Sequence, residues 1–291
     1  MFRKKIIYRN SSGAEIELTN SAPLLLNKLE NNNNVNIYSS KGIKQDGNTY
    51  LDNTLDIKEI TIEMSIVANS VAELNTYKDT INRVFNPKLG KGYLIYSYDT
   101  KERKIKCIVN KLPYFSPVSS RVDKCLISLT ANDPYWFDLN ESKEEIALWL
   151  SDFHFPLEIP ADTGIEMGHR APSLFATVNN NGDVETGMII IFRALATVEN
   201  PSLFNVNTRE QIKINKIMSA NEVITVDTNF NSKKIESTIN STTTDAFNYF
   251  DFLNSTFLQL KTGENIFRFD ADNGIDNLEV DIYYTNKYLG V

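Results

Sequence analysis

The sequence predicts a mainly β protein with one clear helix: an N-terminal β-domain with the helix packed on it, then a C-terminal β-sandwich or jelly roll. Three observations predict this. Only residues 70–86 combine helical apolar spacing with a written start and stop. The remaining apolar runs either alternate with period two or are short and bounded by Gly, Pro, Asn and Asp. And 291 residues suffice for two separate hydrophobic cores.

The helix comes first because the rest is arranged around it. Ser70 suits the N-cap, and Glu73 three residues on completes a capping box in which each side chain satisfies a backbone N–H at the other's position. Val71, Leu74, Tyr77, Ile81 and Val84 or Phe85 then form one apolar stripe. Pro87 stops the helix, and Gly90 and Gly92 turn the chain into an aromatic-rich strand at Tyr93–Tyr98.

Before the helix, Lys5–Tyr8 and Glu15–Leu18 flank an Asn-Ser-Ser-Gly hairpin signal. Pro23–Leu29 is a short apolar stretch, and Asn31–Asn34 reads as a solvated loop. Val35–Tyr38 and Ile57–Val67 read as strands. In the second, Ile60, Ile62, Met64 and Ile66 alternate with Thr61, Glu63 and Ser65, which buries one face. Ser39–Asp56 between them suits an extended arm or a long hairpin.

After the helix, Lys104–Val109 and Cys125–Thr130 read as strands, and Leu112–Pro117 as a Pro-punctuated edge or bend. Asp133-Pro134 breaks the chain before Tyr135-Trp136-Phe137, so the boundary is placed there, with domains 1–137 and 138–291 and the aromatic triplet where they meet. Glu141–Trp149 reads as either a short helix or a strand, and Ser151–Gly168 as an irregular loop. Further on, short β-runs fall at Ser173–Val178, Met188–Phe192, Gln211–Ile214, Glu222–Val226, Lys234–Ser237, Phe257–Leu260, Asn265–Phe269 and Glu279–Tyr284. Their spacing, with turns at 262–265 and 272–274, is that of a sandwich or jelly roll.

The N-terminus lacks the apolar run of a signal peptide, and no segment approaches the roughly 18 apolar residues of a membrane span. A cytoplasmic site of synthesis and folding is expected. Cys107 and Cys125 sit in apolar runs and read as buried hydrophobes or as a cross-strand disulfide. Through Phe137 there are 19 Lys/Arg against 14 Asp/Glu, and beyond it 11 against 23, so the halves carry +5 and −12, which reads either as different neighbours for the two halves or as free drift of surface charge.

Catalytic signatures are missing. His154 and His169 lack partners at metal-ligand spacing, and His154 with Asp152 reads as an acid–base pair or as a solvated loop histidine. No nucleophile elbow, phosphate-cradling glycine loop or HExxH helix occurs. Glu144/Glu145 and Asp270/Asp272 are what an acidic domain contains, and a glycosidase pairing roughly 5–10 Å apart is a spatial property. The expectation is a non-enzyme with no catalytic residue, no metal and no cofactor. Arg3-Lys4-Lys5 and 101–106 are short basic runs in strand-like segments, which a solvated face explains without nucleic acid. Phe247, Tyr249, Phe250, Phe252 and Phe257 form core or a sugar-stacking platform, in which Tyr249 and Phe252 are the candidate carbohydrate contacts.

An ordered pattern then appears. The helix runs into Asn86-Pro87, Gly90 and Leu94-Ile95-Tyr96, followed by Arg103-Lys104-Ile105-Lys106-Cys107, Pro113-Tyr114-Phe115, the strand Leu126–Leu129 and Asp133-Pro134-Tyr135-Trp136. Later come Gly187–Phe192, Asn200-Pro201, Glu222–Asp227, and Ser255-Thr256-Phe257-Leu258 with Leu260 and Gly263-Glu264-Asn265. This order resembles the distal tail (Dit) proteins of long non-contractile-tailed phages and prophages of Gram-positive hosts, over nearly the whole chain; Ser151–Gly168 departs from it. The resemblance implies a structural virion protein with a tail-tube-like, ring-forming N-terminal domain and an outward, galectin-like C-terminal sandwich. It implies a hexameric ring, the baseplate hub, joining the tail tube protein and tape-measure end to the tail-tip or tail-associated lysin protein. The resemblance further implies a lumen through which the genome could pass, without sequence-specific nucleic-acid contact. The outer domains hold receptor-binding proteins or touch host cell-wall sugars. Assembly is expected in the host cytoplasm, with no membrane partner.

Overall fold

The structure, a computed structural model, describes residues 4–146, 149–151, 168–170 and 175–291. The chain divides into two compact units, Met1–Leu139 with Tyr288–Val291, and Asn140–Lys287.

In the first unit the chain runs β1 (Lys5–Arg9), β2 (Glu15–Leu18), β3 (Leu24–Ser40), β4 (Thr49–Val67), α1 (Val71–Val84), β5 (Lys91–Tyr98), β6 (Lys101–Ser119), β7 (Val122–Ala131) and β8 (Trp136–Asp138). They form one antiparallel sheet in the order β2-β1-β5-β6-β7-β4-β3, with β8 paired to β6. Alternation decides which side is buried. Ile60, Ile62, Met64 and Ile66 of β4 join Ile127 and Leu129 of β7 and Ile105 and Cys107 of β6 in one core. Each such aliphatic side chain, fully buried, contributes roughly 1.5–3 kcal/mol.

The helix covers this core as its spacing predicts. Leu74, Ile81 and Val84 are buried, Phe85 is fully buried, and the Phe85 ring stacks on Tyr8 with centroids 4.4 Å apart. Val71, expected in the stripe, is instead 56% exposed at the first helical position. Ser70 caps as expected, its Oγ accepting from the Glu73 N–H at 3.2 Å. The Glu73 carboxylate accepts from the Asn69 N–H at 2.7 Å, one residue further back than a capping box requires. That bond first, and the Tyr77 hydroxyl second, hold its pKa below the usual carboxylate range. Asn86 and Pro87 end the helix in a single 3-10 turn, and Gly90 leaves it at φ +72°.

One expectation fails in this unit. Asn31–Asn34 is not a loop: it lies inside β3, with Asn31 opposite Ile60 and Asn33 opposite Lys58. The long neighbouring strand supplies a ladder that overrides the weak β-propensity of Asn. Leu112–Pro117, expected as an edge or a bend, is an edge: β6 runs through it, and since β5 pairs only as far as Ile108, β6 is bonded here to β7 alone. Register shifts between Val109 and Lys111, Lys111 and Tyr114, and Pro117 and Ser119 absorb the prolines. Trp136 is fully buried in the first unit's core, with its ring edge-on to Tyr96 at 6.3 Å.

The second unit comprises β9 (Ser142–Glu145), β10 (Trp149–Ser151), β11 (Gly168–Arg170), β12 (Phe175–Asn180), β13 (Met188–Ala194), β14 (Val198–Glu199), β15 (Ser202–Asn205), β16 (Glu210–Lys213), β17 (Ile217–Met218), β18 (Val223–Asp227), β19 (Lys234–Ile239), β20 (Thr242–Asp245), β21 (Gly263–Asp270) and β22 (Leu278–Tyr284). A six-stranded sheet, β20-β19-β18-β13-β22-β9, and a four-stranded sheet, β12-β21-β15-β16, share one core. Ile190, Phe192, Ile224 and Val280 enter it from the first sheet, and Leu203, Ile212, Phe267 and Phe269 from the second. This is a β-sandwich. The final short strand, β23 (Lys287–Tyr288), pairs with β8.

The open choice at Glu141–Trp149 resolves to strand over Ser142–Glu145. Phe257–Leu260, expected as a strand, makes only the isolated bridge of Leu260 with Thr186. Of the expected loop Ser151–Gly168, residues 152–167, including Asp152 and His154, lie outside the described residues, while its two ends pair as Ser151 opposite Gly168. The turn at 272–274 is present, with Gly274 in the left-handed region at φ +76°.

Candidate interaction surfaces

One apolar exposure of the first unit is a ribbon. The β4–β7 ladder stops at Lys58 opposite Ala131, so Thr49–Ile57 pairs with β3 alone and the hairpin runs on past the sheet. Residues directly opposite share a face. Val35 opposite Leu55, Ile37 opposite Asn53 and Ser39 opposite Tyr50 therefore fall on one side, and Asn36 opposite Thr54 and Tyr38 opposite Asp52 on the other. The hydrogen bonds agree, with Asn53 donating to the Tyr50 hydroxyl and Tyr38 and Thr54 hydroxyls 3.2 Å apart. The ribbon thus has an apolar side, on which Val35, Ile37 and Tyr50 are each at least half exposed. The sequence suggested an arm here. The polar tip hid its two-sidedness, which becomes visible only with the register shifts after Asn33 and Tyr38.

Elsewhere on the same unit, a groove of about 410 Å³ lies over β4, β6 and β7, lined by Glu63, Met64, Tyr114, Lys124 and Leu126 among others. Tyr114 and Leu112 are about two-thirds exposed, and Val118 more than half. Lone exposed apolar residues are ordinary, but the ribbon and the groove each gather several.

In the second unit the Phe cluster is divided. Phe250 is buried and Phe257 packs on the core, while Phe247 and Phe252 are exposed. Phe247, Phe250 and Phe257 are near-parallel within 6.2 Å, and Phe252 stands edge-on to Phe250 at 5.2 Å. Of the two candidate sugar contacts, Phe252 belongs to this cluster. Tyr249 instead faces Lys216, whose ammonium lies 5.5 Å from its ring centre.

Among the described residues, two thiols and a buried lysine are strongly shifted titratable groups. Cys107 and Cys125 are unpaired buried thiols, pushed up to about 12 by burial, and so stay protonated. Lys58 is buried, its pKa pushed down to about 8 by burial, and its ammonium donates to the Leu289 carbonyl at 2.8 Å. Next to it Arg103 lies over the Tyr288 ring at 3.5 Å, so these two cations clamp the final residues. His169 is on β11 opposite Leu150. Among the described residues no three His, Cys, Asp or Glu side chains cluster as metal ligands, and no helix is long and apolar enough to cross a membrane.

Comparison with known proteins follows the division into units. Residues 11–131 match the phage tail protein RIFT-related domain, and residues 181–288 match the C-terminal domain of siphovirus-type tail components. No curated protein sequence matches. Among solved structures, the chain resembles SPP1 Dit, described as a paradigm of the hub adsorption apparatus of phages infecting Gram-positive bacteria. The TM-score is 0.69 and the identity 11%, over 98% of this chain and 99% of that one. Chains of the phage p2 baseplate in its activated conformation, with Sr or with Ca, give TM-scores of 0.52 and 0.51 at 12% identity, over at least 99% of each chain. At these identities the structural likeness establishes the fold.

Proposed function

The chain belongs to the phage distal tail (Dit) family of siphovirus-type tail components, and on that premise we propose that six copies close into the ring that serves as baseplate hub. A structural role in the tail follows from the family itself. The observation that supports a ring is the projecting ribbon with its unpartnered apolar side. The groove at Tyr114 and Leu126 lies on the same unit, so a ribbon-to-groove contact is head-to-tail, the type that generates a closed ring when the rotation closes. In this reading domain 1–137 forms the ring, joining the tail tube and tape-measure end to the tail-tip protein. Domain 138–291, galectin-like, offers a surface for a receptor-binding protein.

Light scattering across a concentration series tests the ring. Six copies of 33.1 kDa give about 200 kDa. A stable species there, seen as a ring by electron microscopy, is the expected result, and a stable dimer or trimer overturns it. A monomer that closes no ring even at high concentration counts heavily against it.

A second reading is favoured by the exposed Phe247 and Phe252 rings: the second unit contacts host cell-wall sugars. A glycan array on the full chain, with Tyr249→Ala and Phe252→Ala variants, tests it. Binding that neither variant alters removes those two residues from the reading.

A further inference from the structure

The solvent side of the four-stranded sheet carries an ordered row of side chains. Phe175 on β12 lies opposite Arg268 on β21, Arg268 opposite Phe204 on β15, and Phe204 opposite Gln211 on β16. Residues opposite one another share a face, and the alternate positions Leu203, Ile212, Phe267 and Phe269 are fully buried in the sandwich core. The row therefore faces out. Phe175 is 52% exposed, and Phe204 and Gln211 are half-buried. Adjacent strands lie roughly 4.8 Å apart, so the two Phe side chains stand about 10 Å apart with Arg268 between them.

The next row is polar, with Ser202 opposite both Asp270 and Lys213. Each cation here has its own carboxylate: Arg268 Nη2 is 2.8 Å from Asp270 Oδ2, and Lys213 Nζ is 2.7 Å from Asp272 Oδ1. The face is thus rich in donors and acceptors and close to neutral. A shallow groove of about 220 Å³ runs over Ser202, Phe204, Gln211, Arg268 and Asp270.

This pattern matches one ligand chemistry. A pyranose ring has an apolar C–H face that packs on an aromatic ring and a hydroxyl rim that pairs with guanidinium, carboxylate and amide groups. In an extended β-1,4-linked glycan each ring is turned over relative to the last, so alternate rings offer the same face to a flat surface. Two aromatic rings two strands apart, with a charged pair between, suit alternate sugars of such a chain. We infer that the solvent face of β12-β21-β15-β16 is a platform for an extended, uncharged β-1,4-linked glycan, with Phe175 and Phe204 as stacking rings and Arg268 and Asp270 binding the intervening hydroxyls. It rests on the reading of the second unit as a sugar-contacting one, and places that contact away from Tyr249 and Phe252.

The test titrates the full chain with β-1,4-linked N-acetylglucosamine oligomers of two and four residues by calorimetry, with intact cell-wall polysaccharide as a third ligand. The tetramer binds more tightly than the dimer. Phe175→Ala and Phe204→Leu each weaken the tetramer roughly five- to tenfold, toward the dimer's affinity. Leucine keeps the half-buried position filled, and unchanged thermal melts show that both variants fold. Loss of tetramer binding in Phe252→Ala but not in the platform variants overturns the platform and keeps the sugar reading. Binding of polysaccharide but of neither oligomer overturns the proposed linkage class. Binding of none of the three overturns the platform together with the sugar reading.

Discussion

The ammonium of Lys78, midway along the helix, lies 2.5 Å from the Oδ2 of Asp123 on β7 and ties helix to sheet. The two ends differ in exposure: the Asp123 side chain is 2% exposed and that of Lys78 26%. Lys78 also passes 5.8 Å from the Phe115 ring centre, so its stem covers apolar surface on the way to the carboxylate. Because a buried carboxylate is left uncompensated, Lys78→Met is expected to cost about 2–4 kcal/mol of unfolding free energy. Lys78→Met combined with Asp123→Asn is expected to recover more than half of that loss. A double-mutant cycle in urea measures both, and additive single costs would show that the pair is not coupled.

The ribbon separates assembly from folding. Val35 and Ile37 touch no core in the chain itself, so Ile37→Asp is expected to change unfolding free energy by less than about 0.5 kcal/mol. The same charge on the ribbon's apolar side is expected to abolish the species near 200 kDa. Light scattering and a denaturant melt on one preparation check both halves. A stable variant that still assembles places the subunit contact elsewhere.

What the sequence made legible, and what it hid, divides along this same line. The helix could be read because cap, stripe and stop are all local: Ser70, Leu74, Ile81 and Pro87 each act on neighbours within a few residues. Many of the sandwich strands could be read because alternation is local too, but Ser202–Asn205 and Thr242–Asp245 carried too short a run to be read, and Phe257–Leu260 makes only a single bridge. Asn31–Asn34 could not, since what makes it strand is a partner some thirty residues on, Lys58 to Ile60. The prolines of β6 marked an edge or a bend; that the stretch is a bulged edge depends on where the β5 ladder stops and on the β7 register. The row Phe175, Arg268, Phe204 and Gln211 draws on four strands and has no signal in any one of them. The aromatic patch was half legible, since composition marked Phe252 but gave no sign that Tyr249 faces Lys216 instead.

Gly92 is held by close approach rather than by turn conformation. A Cβ there would come within 2.7 Å of both the Arg9 carbonyl oxygen and the Tyr8 hydroxyl, where β1 pairs with β5. Tyr8 is fixed in turn by its stack on Phe85, so it has no room to yield. Gly92→Ala is expected to destabilise the chain by about 2–3 kcal/mol through this overpacking. Gly13→Ala, where no neighbour lies within 4 Å but φ is +83°, bears only the backbone cost, about 1 kcal/mol. Equal losses in the two variants, measured by thermal melts, would argue against the close-packing account.

Alkaline stability sets Lys58 against three other groups. Its folded pKa of about 8 is below the ordinary 10.5, so between those values the unfolded chain binds more protons than the folded one. Stability therefore rises with pH across that window, as the penalty for burying the ammonium is relieved. Tyr8, Cys107 and Cys125 are raised to about 12, from 10.0, 9.0 and 9.0, so the folded chain keeps protons that the unfolded chain gives up. Their contribution is whole below pH 9 and is lost as pH climbs from there towards 12. The sum is mixed, but the difference between wild type and Lys58→Met isolates the lysine, because the other three cancel. That variant is expected to be about 1–2 kcal/mol more stable at pH 7, with the gap closing as pH approaches 10.5. Urea midpoints of both proteins at pH 7, 8.5 and 10 measure it. A gap that stays constant across the three would show that Lys58 keeps its proton in the fold as readily as in the open chain.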